Sequence, residues 1–213
     1  MSEGINGTWL VATVSTQSIS ILSCLVSPQF ARYQEVLLFV SLCLFLVGGL
    51  FYFLIISLIF YRFMFLALEP RELTPSYWIN MGAAAISTLA GAILAASSRG
   101  SLFLPQVLHF LVGATVFFWS VATWWIPFLF ILEGWRRFVG KVDFSYSHQY
   151  WGMVFPLGMY TACTINLAEI IRLPWVMAIP RCFIYVALTA WLLTFVGLLR
   201  SLGRSLSAGW SPV

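Results

Sequence analysis

The stretch INMGAAAISTLAGAILAAS, residues 79–97, has the length of a membrane span but little of the side-chain bulk that lipid contact favours. Ala84, Ser87, Thr88, Gly91 and Ala95 recur at three- and four-residue steps, which stacks them on one helical face. So small a face suits close contact with other helices or the wall of a watered lumen. Its place is therefore inside a bundle, and the rest of the chain has to supply the helices around it.

The composition supplies them. Of 213 residues, 61% are hydrophobic and 8% charged, against roughly 25% charged in an ordinary soluble domain. A hydrocarbon core about 30 Å thick takes about 20 apolar residues per helix. Apolar runs between polar breaks predict six spans: Thr8 to Ser27, Val36 to Ala67, Tyr77 to Ser97, Pro105 to Trp135, His148 to Ile171 and Val176 to Leu199. The breaks pair prolines with charges, as in Glu69-Pro70-Arg71 and Arg172-Leu173-Pro174, and none is long enough for a soluble domain. The fold class is thus an all-α membrane protein, with residues 1–213 read as a single integral membrane domain.

The net charge of +4 is spread over loops without a basic cluster, so nucleic acid is not an expected partner. Cys24, Cys43, Cys163 and Cys182 all fall in apolar segments, without metal-ligand or disulfide-scaffold spacing, and no metal or cofactor is expected. Met1 to Asn6 lacks the basic start of a cleaved signal peptide. Six spans put both termini on one side, with Arg62, Arg71, Arg136, Arg137, Lys141, Arg200 and Arg204; the other side has Arg32, Arg99, Arg172 and Arg181. The excess predicts a multi-pass cell-membrane protein with cytoplasmic termini. Arg136, Arg137 and Lys141 read first as this topology signal and second as a contact for anionic lipid.

The odd spans differ from the even ones. The first carries Thr13, Thr16, Gln17, Ser20, Ser23 and Ser27 on helical spacing, and the third is the small-residue stretch above. The fifth contains YWGMVFPLGMYTACT, residues 150–164, with two glycines and a proline. The even spans, such as LLFVSLCLFLVGGLFYFLIISLIFYRFMF at 37–65, are bulky and apolar. Odd spans start at Thr8, Tyr77 and His148, about 70 residues apart, which reads as three helical hairpins with odd helices inside and even helices outside. Pro156 deprives the Gly152 carbonyl of its helical partner, which predicts an interruption tolerated only inside the bundle. Phe155 shares a face with Gly152, Met159, Ala162 and Asn166. A ring so placed either closes a narrow tube by excluding water or is ordinary packing.

The segments NGTWLVATVSTQSISIL (6–22), EPRELTPSYWINMGAAAISTLAGAIL (69–94) and YWGMVFPLGMYTACT resemble the tellurite-resistance/C4-dicarboxylate transporter family. That family includes tellurite-resistance membrane proteins, yeast malate and sulfite carriers and plant slow-type anion channels. The resemblance implies a ten-helix fold of five hairpins, a pore inside the odd helices, often three protomers, and a pore-occluding phenylalanine in the ninth helix, here Phe155. This chain has three hairpins and resembles the last six helices, so a partial chain or a second polypeptide is expected to complete the wall. Phe30, beyond Pro28, is the nearest counterpart of a second occluding ring and does not support a double gate.

No Lys, Arg, Asp or Glu lies mid-span in the odd helices, which argues for weak, field-based selection of small anions rather than a tight charged site. The expected lining is Thr13, Thr16, Gln17, Ser20, Ala84, Thr88, Gly91, Gly152, Pro156 and Met159, with the hydroxyls and Gln17 as donors. Chloride, nitrate, sulfite, malate and tellurite all stay open, as does channel against carrier. The competing readings are a membrane haem or redox protein, or a structural subunit that transports nothing. Haem would need His109 and His148, the only histidines, which fall on opposite predicted sides. No enzyme motif is present, and no catalytic residue is expected. Glu169 and Arg172 read as a solvated end-of-helix pair.

Overall fold

A computed structural model describes residues 6–66, 69–141 and 146–208 of the chain. Six long helices carry the fold: α1 (Val11–Val26), α2 (Gln34–Phe65), α3 (Ile79–Ala96), α4 (Leu104–Phe138), α5 (Trp151–Ile171) and α6 (Ala178–Ala208). Short 3-10 turns precede α1, α3, α5 and α6, and among the described residues there is no strand. With their flanking turns, all six are long and apolar enough to cross a membrane.

Helix α3 is the axis of the bundle. All but four of its 18 residues are buried, because a surface of alanine and glycine lets neighbours close in from several sides. A methyl group added at Gly91 would run into the Thr115 hydroxyl of α4 and lie 3.2 Å from the Phe45 ring of α2. Gly7, in the turn before α1, lies against the Ser76 backbone just before α3, and Gly152 of α5 faces the same residue. The odd helices therefore begin at one level and run in parallel. The even helices return the other way, with Phe39 on Phe103, Phe53 on Phe117 and Phe60 on Trp124 marking the parallel run of α2 and α4.

Polar side chains fasten the first hairpin from within. Ser20 Oγ donates to the Ser41 carbonyl at 2.7 Å and Ser41 Oγ donates back to the Ser20 carbonyl at 2.7 Å. One turn away, Gln17 Nε2 donates to the Phe45 carbonyl at 3.1 Å, in space left by Gly48. Each such bond between membrane helices is worth only about 0.6 kcal/mol. Their larger effect is to give polar groups a partner where lipid offers none. At the start of α2, Glu35 accepts from the Leu102 amide and the Ser101 hydroxyl, both at 2.9 Å, and so ties down the start of α4.

Several boundaries differ from the sequence reading. Helix α4 continues past Trp135 to Phe138 and α6 past Leu199 to Ala208, since neither proline nor charge repulsion stops them there. The expected end of the second span at Ala67 lies outside the described residues. Helix α5 runs unbroken through Pro156, where the sequence predicts an interruption. Pro156 lies in the second turn, so its missing N–H removes one intrahelical bond and the remaining turns hold the helix. Its other end is sharp: Arg172 adopts a left-handed conformation at φ 55° and turns the chain toward Pro174.

Replacing Gly91 by Ala overpacks the α3–α4 contact and is expected to cost about 1–3 kcal/mol, read as a lower unfolding temperature in detergent. Combining it with Thr115→Ala, which removes the obstructing hydroxyl, restores most of the loss.

Candidate functional site

The first two turns of α5 present one side chain unlike its neighbours. Phe155 is 43% exposed, whereas the adjoining Pro156 and Leu157 are buried. Phe155, Gly158, Ala162 and Ile165 follow three- and four-residue steps and form an apolar stripe, exposed except at the half-buried Ala162, that ends at Glu169. Met159, Asn166 and Gly152, all half-buried, border it on the side nearer α3.

Contacts on the opposite side of α5 fix which way the stripe points. The Tyr160 hydroxyl lies 2.9 Å from Thr123 Oγ1 of α4, and its ring stacks on Trp119, with the planes 14° apart. Trp119 Nε1 donates to Thr164 Oγ1 at 3.0 Å, one turn further along α5. Phe183 of α6 meets the Tyr160 ring edge-on, with centroids 4.8 Å apart. Five residues of an α-helix is about 500°, so Phe155 points nearly away from Tyr160 and from α4 behind it. On the α3 side, Pro156 packs against Gly82.

The residues expected to line a pore fall into two groups. Thr13, Gln17 and Ser20 are fully buried, the last two bonded to the backbone of α2. Ala84, Thr88 and Gly91 are buried in α3, Thr88 bonding its own helix at the Ala84 carbonyl and Gly91 meeting Thr115 and Phe45. These six belong to helix packing in this structure. The reason is that a hydroxyl or a missing side chain is as useful for close backbone approach as for a watered wall. Thr16 is half-buried, its hydroxyl returned to the Ala12 carbonyl at 2.8 Å. Phe155, Gly152 and Met159 lie on or beside the open stripe, while Pro156 is turned to α3. The residues of α3 that are not buried are Ile79, Leu89, Ile93 and Ala96.

Sequence reasoning missed Gly82, Tyr160, Trp119 and Thr123. Gly82 was hidden among equivalent small residues, whereas an aromatic with a hydroxyl at mid-span was a signal that Tyr160 needed a polar partner. His109 lies near the start of α4 and His148 just before α5, at opposite ends of the bundle, which rules out their sharing one haem iron. Among the described residues no group of three or more His, Cys, Asp or Glu is gathered as a metal site would need.

A family model described as voltage-dependent anion channel matches residues 2–199. An uncharacterized membrane protein of Mycobacterium tuberculosis is 36% identical over 150 residues, which are 70% of this chain and 76% of that protein. Two uncharacterized transporters of Methanocaldococcus jannaschii are 24% and 23% identical over 76% and 80% of this chain. The matched region spans about half the length of each, 46% and 48%. No solved structure matches. The chain belongs to the voltage-dependent anion channel family, and the resemblance read from the odd spans is borne out.

The α4–α5 contact predicts a split between two substitutions at one position. Tyr160→Phe removes the hydroxyl bond alone and is expected to cost about 0.6 kcal/mol. Tyr160→Ala also removes the stacked ring and costs about 3–5 kcal/mol, both read from thermal unfolding in detergent.

Proposed function

We propose that this family member conducts small anions across the membrane along the open face of α1, α3 and α5, and that the Phe155 ring occludes the path. The observation that carries the reading is Phe155 itself: a large ring left exposed near the start of an inner helix whose other side is locked to α4. A ring set across a narrow passage closes it sterically and by shedding water. Gly152, Met159 and Thr16 border the path. Thr13, Gln17, Ser20, Ala84, Thr88, Gly91 and Pro156 hold the wall from behind.

The helices support an anion as the permeant ion. Since α1, α3 and α5 begin at one level, the positive ends of three helix dipoles gather at one mouth. An anion entering there meets the positive ends of these helices, and no Lys or Arg lies mid-span in α1, α3 or α5 to trap it further in. Beyond the mouth the path is apolar, and weak binding allows the ion to leave again. In the proposed orientation both termini, and hence this mouth, face the cytoplasm, in line with the seven Lys and Arg on that side against four on the other. Chloride or nitrate is the simplest probe.

The test is anion flux from liposomes holding the full protein. Phe155→Ala is expected to raise flux roughly tenfold, equivalent to about 1.4 kcal/mol off the barrier. Unchanged flux in a folded variant contradicts the gate. Absence of flux from both proteins favours a structural subunit.

A further inference from the structure

We infer that Gly82 of α3 is the positioning residue for the gate: it is the seat on which Pro156 rests, and its lack of a side chain holds the Phe155 ring in place. The inference rests on the occluding role proposed for Phe155 and extends it to a residue on a different helix.

The geometry is specific to this pair. A Cβ built on Gly82 would lie 2.8 Å from Pro156 Cγ, 3.1 Å from its Cβ and 3.3 Å from its Cα. All three obstructions belong to Pro156, and one is backbone, so no side-chain rotation relieves them. A proline ring cannot swing aside as a leucine would. The glycines of α5 itself have no such constraint: around Gly158 there is open space, and the nearest atom to a Cβ at Gly152 is 3.8 Å away. At Gly82 the first turns of α5 thus lie directly against the α3 backbone.

Displacement at this point is passed to the gate. One turn beyond Pro156, Tyr160 is held to α4 by its ring and its hydroxyl, and Thr164 by Trp119. Helix α5 therefore cannot shift bodily away from α3. A methyl group on Gly82 pushes the first turns of α5 away from α3, and Phe155, joined directly to Pro156, moves with them. The seam between α3 and α5 widens beside the ring, which no longer seals it.

The experiment is a double-mutant cycle on the full protein in liposomes, with chloride flux as readout and thermal unfolding as the check on folding. Gly82→Ala is expected to raise flux about threefold or more in the background that keeps Phe155, and to change it little once Phe155→Ala is present. Gly113→Ala, at an exposed site on α4 with nothing within 4 Å, is the control and leaves flux unchanged. Should Gly82→Ala fail to fold, Pro156→Ala takes its place, since it withdraws the ring from the same seat; the same loss of effect under Phe155→Ala is expected. If Phe155→Ala raises flux but the seat variant does nothing, lowers flux, or acts equally in both backgrounds, the positioning role is overturned and the gate stands. If Phe155→Ala itself changes nothing, the gate reading fails and this inference fails with it.

Discussion

The structure depends on how closely other helices approach α3. A bilayer provides no hydrophobic drive for helix association, since lipid tails are as apolar as leucine, so packing and the few available hydrogen bonds must supply it. Alanine and glycine along α3 let α1, α2, α4 and α5 come into direct contact with it, and nearly every residue of that helix is buried as a result. A single methyl at Gly82 or Gly91 meets another helix at less than van der Waals distance. Such a core has two consequences. It leaves little slack, because the side chains that reach α3 at these points abut its backbone, and it carries a displacement on one helix to the next.

Around this core the polar groups are arranged by the same constraint. Ser20 and Gln17 of α1 turn toward α2, where the Ser41 and Phe45 carbonyls receive them. At the far end of the bundle Arg62, only 3% exposed, pairs with Glu72 at 2.9 Å, in the turn that leads to α3. The aromatic rings of α2 and α4 form a continuous layer behind the inner helices, through Phe45, Phe118, Tyr52 and Trp125. The side of α5 away from α4 is open, with Phe155, Gly158 and Ile165 exposed along it before Glu169. In the proposed function, an uncharged passage along this side selects by field and size, with the clustered helix starts setting the sign.

Much of this was legible in the sequence. Six spans, their pairing into hairpins and the inner place of the small-residue span follow from periodicity and bulk, because a bilayer leaves few alternatives. The direction of each polar face was not. Thr13, Gln17 and Ser20 align on α1 whether that face meets water or another helix; the deciding partners, Ser41 and Phe45, lie 21 to 28 residues away on a helix that reads as uniformly apolar. Gly82 and Gly91 are likewise indistinguishable by type, and only the tertiary contact shows that one receives a proline ring and the other a threonine. The straight course of α5 through Pro156 was hidden for a related reason: the cost of a proline depends on how near the helix start it falls, and the described start lies only five residues earlier.

The central claim is that the exposed stripe of α5 borders water while the outer helices border lipid. With the exposed Cys43 and Cys182 first replaced by serine, single cysteines introduced by Gly158→Cys, Ala162→Cys and Ile165→Cys are compared with Leu50→Cys and Phe117→Cys on α2 and α4, using a charged, membrane-impermeant thiol reagent. The account predicts labelling along the α5 stripe and protection at Leu50→Cys and Phe117→Cys. Protection of the stripe together with labelling of the outer positions would contradict it.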